Sequence, residues 1–301
     1  MTTGIAEKIL KKLEILERKD GNLPNSLEFY RKLLSLQLAD KQRLKIPTSG
    51  LSPEVVNERI VTGRPLFEFD DLSIDWSLFR DTFEKVNALL SNYSKDWVEI
   101  VGNIELSTSF LKEAARAWFE GTRFPFIKTF SDANEALWEI VVHATFSPFM
   151  VSYLETSRKL VNQELWRRGY CPICGGNPDF SFLDKERGAR WLLCSRCDTE
   201  WLFQRLECPH CGTKNQNTLA YFTDDKGLYR LYICEQCHTY LKAIDLRQTD
   251  DEVLLPLERF LTFDLDTQAQ KNGYNPLPRV NRSLEIEQGG VTQSDKGGKV
   301  Q

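Results

Sequence analysis

Cysteine is the residue type best placed to do chemistry in this chain. All eight cysteines fall between Cys171 and Cys237 of its 301 residues. They form four Cys-x-x-Cys pairs: Cys171/Cys174, Cys194/Cys197, Cys208/Cys211 and Cys234/Cys237. Two intervening residues let both sulfurs of a pair point inward from one tight turn. Two such turns supply the tetrahedral S4 cage that zinc and iron both accept. A disulfide framework belongs mostly to small secreted domains. A thioredoxin-like motif would bring one pair beside a βαβ pattern, not four in a repeat. The spacing therefore points to metal binding, with zinc and iron both open.

The pairs are also an internal repeat. Each unit opens Cys-Pro-x-Cys-Gly and passes through an apolar stretch, Phe180 to Leu183 or Leu219 to Phe222. Each closes with a second Cys-x-x-Cys followed by one residue and then Thr199 or Thr239. The linkers inside the units are 19 and 22 residues, and ten residues separate the units. This favours one ion held by Cys171, Cys174, Cys194 and Cys197, and another held by Cys208, Cys211, Cys234 and Cys237. A cross-braced pairing of first with third remains an alternative, because spacing limits connectivity without fixing it. Segments 191–193, 201–203, 229–233 and 240–244 are aromatic or branched and read as short strands. Units this small bury too little core to fold alone, so metal binding must supply part of the folding free energy.

The elements that must carry these units come before and after them. Ile5, Ile9, Leu13 and Leu16 share a helical face that Gly21 ends, and Ser26 starts a second helix that Pro47 and Gly50 break. Ser52-Pro53-Glu54 is a third helix start, an N-cap followed by proline at the first helical position. Helices are expected over 76–92, 95–102, 107–120, 132–146 and 149–168, with Gly169 as the last stop. Residues 253–271 read as helical, with Pro256 in the first turn. The expected class is a multidomain α plus small metal-binding β protein. Its parts are an all-α domain over 1–168, two rubredoxin-like or zinc-ribbon knuckles over 169–206 and 207–247, a helix and loop over 248–280, and a disordered tail over 281–301.

Other chemistry finds little support. GxGxxG, Walker A and HExxH motifs are absent. His143 lies in an apolar helix and reads as a core histidine, and His210 and His238 flank cages that already have four thiolates. A closed S4 cage has no open coordination position, so no enzymatic activity is expected. Net charge is −4. The cysteine region holds twelve Lys/Arg and ten Asp/Glu between residues 165 and 247. That balance gives no basic field for nucleic acid, and Arg187, Arg190, Arg196 and Arg205 read as a solvated face. No apolar run is long enough for a membrane helix, and the N-terminal residues lack the pattern of a signal peptide. Together with reduced thiols this leads to an expectation of a cytoplasmic protein without membrane insertion. Nothing in the sequence assigns an oligomeric state.

The run CPICG … WLLCSRCDTEWLFQRLECPHCG … YICEQCHTYLKAID resembles the formate dehydrogenase accessory protein FdhE family. The stretches VTGRPLF (Val61–Phe67) and LDTQAQKNGYNP are similar to that family too. The resemblance covers roughly residues 50–278. It implies a helical N-terminal domain, two rubredoxin-like modules with two metal ions (iron by the family's pattern, or zinc), and all eight cysteines as ligands. It also implies a cytoplasmic, non-catalytic chaperone-like factor for protein maturation that binds the catalytic subunit of formate dehydrogenase. A rubredoxin-like iron electron-transfer protein is the alternative.

Overall fold

A computed structural model describes residues 3–45, 51–101, 105–124 and 132–278. The proposed break at Pro47 and Gly50 and the tail over 281–301 lie outside the described residues.

Seven helices precede the cysteines among the described residues: α1 (Thr3–Asp20), α2 (Asn25–Lys41), α3 (Pro53–Thr62), α4 (Trp76–Ser91), α5 (Lys95–Val101), α6 (Thr108–Glu120) and α7 (Asp132–Ser157). Local chemistry sets several of their ends. Ser52 Oγ accepts from Val55 N at the start of α3, Asp75 Oδ1 from Ser77 N and Leu78 N at α4, and Ser107 Oγ from Phe110 N at α6. Gly63 closes α3 at φ +83°, a left-handed conformation that glycine adopts without penalty.

The expected helices 132–146 and 149–168 are one helix and a coil. α7 runs through Pro148, which has no N–H to give the carbonyl of Ala144. Gln37 of α2 donates its Nε2 to that carbonyl at 2.7 Å, so the helix continues. α7 then stops at Ser157, and residues 161–168 run irregularly beside the sheet. There the Gln163 amide behaves like a strand backbone, accepting from Leu202 N at 3.2 Å and donating to Glu200 O at 3.5 Å. No helix among the described residues is long and apolar enough to cross a membrane.

The cysteine region forms β1 (Pro178–Leu183), β2 (Arg190–Cys194), β3 (Glu200–Phe203), β4 (Leu219–Thr223), β5 (Tyr229–Cys234) and β6 (Thr239–Asp245). Each repeat is a three-stranded antiparallel meander. The two join into one sheet of order β3-β2-β1-β6-β5-β4, because β1 pairs in parallel with β6, Phe180 opposite Lys242. Every residue of β6 is buried. Two helices follow, α8 (Leu255–Leu261) and α9 (Phe263–Lys271).

A single helix was expected over 253–271, and its break falls at Thr262. Lys242 Nζ reaches from β6 to the carbonyls of Arg259 at 3.0 Å and Thr262 at 3.4 Å, and pairs with Asp266 at 2.5 Å. A cation is favourable at carbonyls near the C-terminal end of a helix. The helices are tied back to the bundle, since Leu254 and Leu257 share a core with Ile9 and Leu13 of α1 and Leu34 of α2. Phe260 stacks on Tyr30 with centroids 3.8 Å apart.

Replacing Lys242 with methionine keeps most of its apolar stem but removes the ion pair to Asp266 and the donor to two carbonyls, leaving Asp266 the Tyr240 hydroxyl at 2.8 Å and Thr262 O the Leu265 N–H at 3.1 Å. We expect a loss of about 2–3 kcal/mol in urea denaturation. A change within about 0.5 kcal/mol, typical of a neutral surface site, contradicts this account of the break.

Candidate metal centres

Cys171 and Cys174 lie in the turn entering β1, Cys194 ends β2, and Cys197 lies in the turn to β3. Their four sulfurs lie within 4.8 Å of one another. The 171–197, 174–194 and 174–197 separations are all 3.6 Å, and all four residues are fully buried. Cys208, Cys211, Cys234 and Cys237 form the second group, with 3.7 Å between 208 and 237 and between 211 and 234. The chain thus brings consecutive pairs together rather than the cross-braced set.

Both groups fit an ion. A tetrahedron with metal–sulfur bonds of about 2.3 Å has edges of about 3.8 Å, close to the separations seen. Each cluster could therefore hold one ion in an all-sulfur cage that suits zinc or iron alike. Backbone N–H groups already point at sulfur: Ile173 N at Cys171 (3.4 Å) and Arg196 N at Cys194 (3.3 Å). The Thr199 hydroxyl lies 3.0 Å from the Cys197 sulfur and that of Thr239 3.1 Å from Cys237. The threonine shared by both repeats is thus a hydrogen-bond partner of the last cysteine in each.

The turns need unusual backbone. Gly175 and Gly212, each just after a second cysteine, have φ +70° and +71°, as their position suggests. The matching positions after Cys197 and Cys237 also lie in the left-handed region, yet hold Asp198 (φ +56°) and His238 (φ +52°). Sequence reading missed these two positions. Asp and His are among the non-glycine residues that tolerate this conformation, and the repeat alignment was the signal that could have found them.

The two centres differ in their surroundings. The first belongs to the same apolar core as α4, α6 and α7. In the second, Cys211 is exposed and Cys237 half-buried. Burial first, then the neighbouring sulfurs, pushes the Cys171 thiol well above its ordinary value. Burial likewise pushes Cys234 up to about 11. At Cys237 burial is outweighed by hydrogen bonds, that of Thr239 foremost, and the thiol is held below its ordinary value.

Several elements clamp the first knuckle. Leu66 N and Phe67 N donate to Pro172 O at 2.8 Å and Ile173 O at 2.9 Å, so the VTGRPLF stretch is a strap over the cysteine turn. Tyr170 Oη donates to Gly63 O at 2.8 Å. The indoles of Trp166 and Trp201 donate to Tyr170 O and Arg168 O, each at 2.9 Å. Arg196 donates to Phe119 O at 2.7 Å and Trp118 O at 3.2 Å, capping the C-terminus of α6 from within the knuckle. From α8, Arg259 donates to Cys194 O at 2.5 Å and Asp179 at 2.9 Å, and pairs with Asp198.

The remaining residues singled out in the sequence fall elsewhere. The four arginines do not form one solvated face: Arg187 and Arg205 are exposed, but Arg190 and Arg196 are buried. His143 is half-buried, not deep in the core, and stacks on Trp118 at 5.3 Å. His238 is exposed and lies near Tyr274, and neither it nor His210 belongs to a four-sulfur group.

Comparison with known proteins agrees with this geometry. Residues 170–205, which span the first knuckle, match the family model described as FdhE, central domain. A protein FdhE homolog from Aquifex aeolicus is 37% identical over 142 residues, 44% of this chain and 50% of that protein. One from Shewanella sp. (strain MR-4) is 32% identical over 139 residues, 44% of each chain. The chain thus aligns with half or less of the length of these relatives. Protein FdhE of Escherichia coli (strain K12) is 23% identical over 222 residues, covering 73% of this chain and 69% of that one. The crystal structure of the FdhE protein from Pseudomonas aeruginosa has the same fold, with a TM-score of 0.64 at 21% identity over 93% of this chain and 95% of that one.

The contrast in exposure gives a kinetic expectation. With both sites loaded with zinc, a chromogenic chelator should remove one equivalent at least about tenfold faster than the other. Cys211→Ser should abolish the fast phase alone. A single phase releasing both ions contradicts the difference between the centres.

Proposed function

The chain belongs to the FdhE family, and from that premise we propose that it is an accessory factor in the maturation of formate dehydrogenase, binding the catalytic subunit of that enzyme. The observation that carries this reading is the construction of the first centre. Its four thiols fill the positions of a tetrahedral cage and are fully buried beneath the helices. A closed cage leaves no position for substrate, which suits holding a shape better than turning over a reactant. On this reading the chain is not an enzyme, and it works in the cytoplasm.

Cys171, Cys174, Cys194 and Cys197 would hold one ion, and Cys208, Cys211, Cys234 and Cys237 the other. The bound metal would cross-link each knuckle, and as iron it would also supply a one-electron couple. The protein's own residues do the positioning. Arg196 fixes the first knuckle to the end of α6, the strap at Leu66 and Phe67 holds its turn, and Arg259 ties β2 to α8. The helical bundle thereby offers the client a surface whose shape depends on the first cage.

A second reading, a rubredoxin-like electron carrier, draws on the exposure of Cys211, since electron transfer needs a cluster edge near the surface. A reversible one-electron couple in the iron-loaded chain, with fast reduction by a rubredoxin reductase, would favour it.

The test is affinity capture of the tagged chain from cells expressing formate dehydrogenase, with immunodetection of the catalytic subunit. We expect the wild type to retain that subunit, Cys171→Ser to lose it, and Cys211→Ser to keep most of it. A wild type that retains none overturns the reading.

A further inference from the structure

A cavity of about 550 Å³ opens beside the second knuckle, between the turn at Cys208 and strands β4 and β5. Its volume is that of a small-molecule site. Two buried arginines line it, Arg190 at 4% exposure and Arg230 at 8%. Arg190 donates to Glu207 O at 3.2 Å, and its Nε has no hydrogen-bond partner. No carboxylate among the described residues forms an ion pair with it. Arg230 pairs with Asp245 at 2.6 Å, but that carboxylate also serves Arg247, and Arg230 Nε has no partner either. The buried hydroxyl of Tyr232, in the same wall, is likewise unpartnered.

Such groups are costly. A buried donor without an acceptor is unfavourable, and a buried unpaired charge more so. Here three residues that each carry a donor without a partner line one cavity. The guanidiniums are also held in place: Arg190 lies over the Tyr232 ring at 4.5 Å and Arg230 over Tyr221 at 4.8 Å. Cationic planes fixed by aromatic rings present a ready fork to a planar or tetrahedral oxyanion. The thiolates at Cys208 and Cys234 can offset part of the charge, but they supply no oxygen acceptor to either Nε. The rest of the wall, including Leu206 and Leu219, is apolar.

We propose that this cavity binds a small organic anion, whose carboxylate or phosphate pairs with Arg190 and Arg230 while its apolar body lies against Leu206 and Leu219. The site adjoins the second metal centre, so occupancy changes the charge beside Cys208 and couples the ligand to that centre. A neutral analogue leaves the guanidiniums unpaired and is rejected.

The test uses the full chain with both cysteine sites zinc-loaded. Phenyl phosphate and benzoate are the probes, inorganic phosphate tests the contribution of the apolar body, and benzyl alcohol is the neutral control. Calorimetry should show one saturable site for at least one aromatic anion, binding at least about tenfold tighter than inorganic phosphate because of the added apolar contact. The preferred aromatic probe distinguishes carboxylate from phosphate. Arg190→Gln should weaken binding at least about tenfold with two zinc ions retained per chain. Two arginine Nε–H resonances of the wild type should move on titration, a readout that survives if Arg190→Gln does not fold. The proposal is overturned if neither aromatic anion saturates below about 10 mM, a range weaker than useful small-molecule sites. It is also overturned if no arginine Nε–H resonance moves, or if Arg190→Gln loses the second zinc while binding the anion as the wild type does. That last result would assign the arginines to the thiolate charge alone.

Discussion

Four thiols buried beneath a helical bundle constrain everything around them. A single apolar core contains Cys171, Cys174, Cys194 and Cys197 together with Phe83, Trp138 and Phe146 of the helices. Without a metal, burial disfavours the thiolate at Cys171. A metal ion bound there would place a compact charged cage in that core. N–H groups face the sulfurs, and the Arg196 guanidinium reaches past them to the end of α6. The strap, the indole hydrogen bonds and Arg259 act on the same few residues. The knuckle around this cage is thus joined to α6 by two hydrogen bonds from Arg196 and to α8 by the three contacts of Arg259.

The second centre follows the same plan with less around it. Its turn geometry repeats that of the first almost residue for residue, down to the left-handed position after the last cysteine. What differs is the cover. β4 is largely exposed, with Tyr221 at 51% and Phe222 at 60%, whereas the opposite edge, β3, is closed by the Gln163 side chain. A chain with two equal motifs therefore presents one as a buried keystone and the other at the surface. A division of labour between shape and exchange is the natural use of that asymmetry.

The cysteine spacing made both four-sulfur groups legible without a structure, because each depends on a few residues close in sequence. The cap at Ser52 was readable for the same reason. Two boundaries were not. Pro148 marks a break in any local reading, and only Gln37, more than a hundred residues away, shows why α7 continues. The apolar pattern of 253–271 promised one helix, but Lys242 on β6 donates to the carbonyls of Arg259 and Thr262 where the helix breaks. The arginines misled for a related reason: charge suggests solvent, and the partners that bury Arg190 and Arg196 come from distant segments. Polar long-range contacts were the hidden part, and apolar periodicity and local spacing the visible part.

The parallel pairing of β1 with β6 bears on the order of events during synthesis. β1 leaves the ribosome some sixty residues before its neighbour, since Phe180 pairs with Lys242. The core of α1 and α2 waits still longer, for Leu254 and Leu257. Both ends of this sequence separation lie far apart, which slows closure and leaves apolar surface open meanwhile. The first cage needs only Cys197 to be complete, so metal capture can staple the nascent chain well before its sheet can close. The ion would then act as a placeholder, keeping one half of the fold ordered until the later strands arrive.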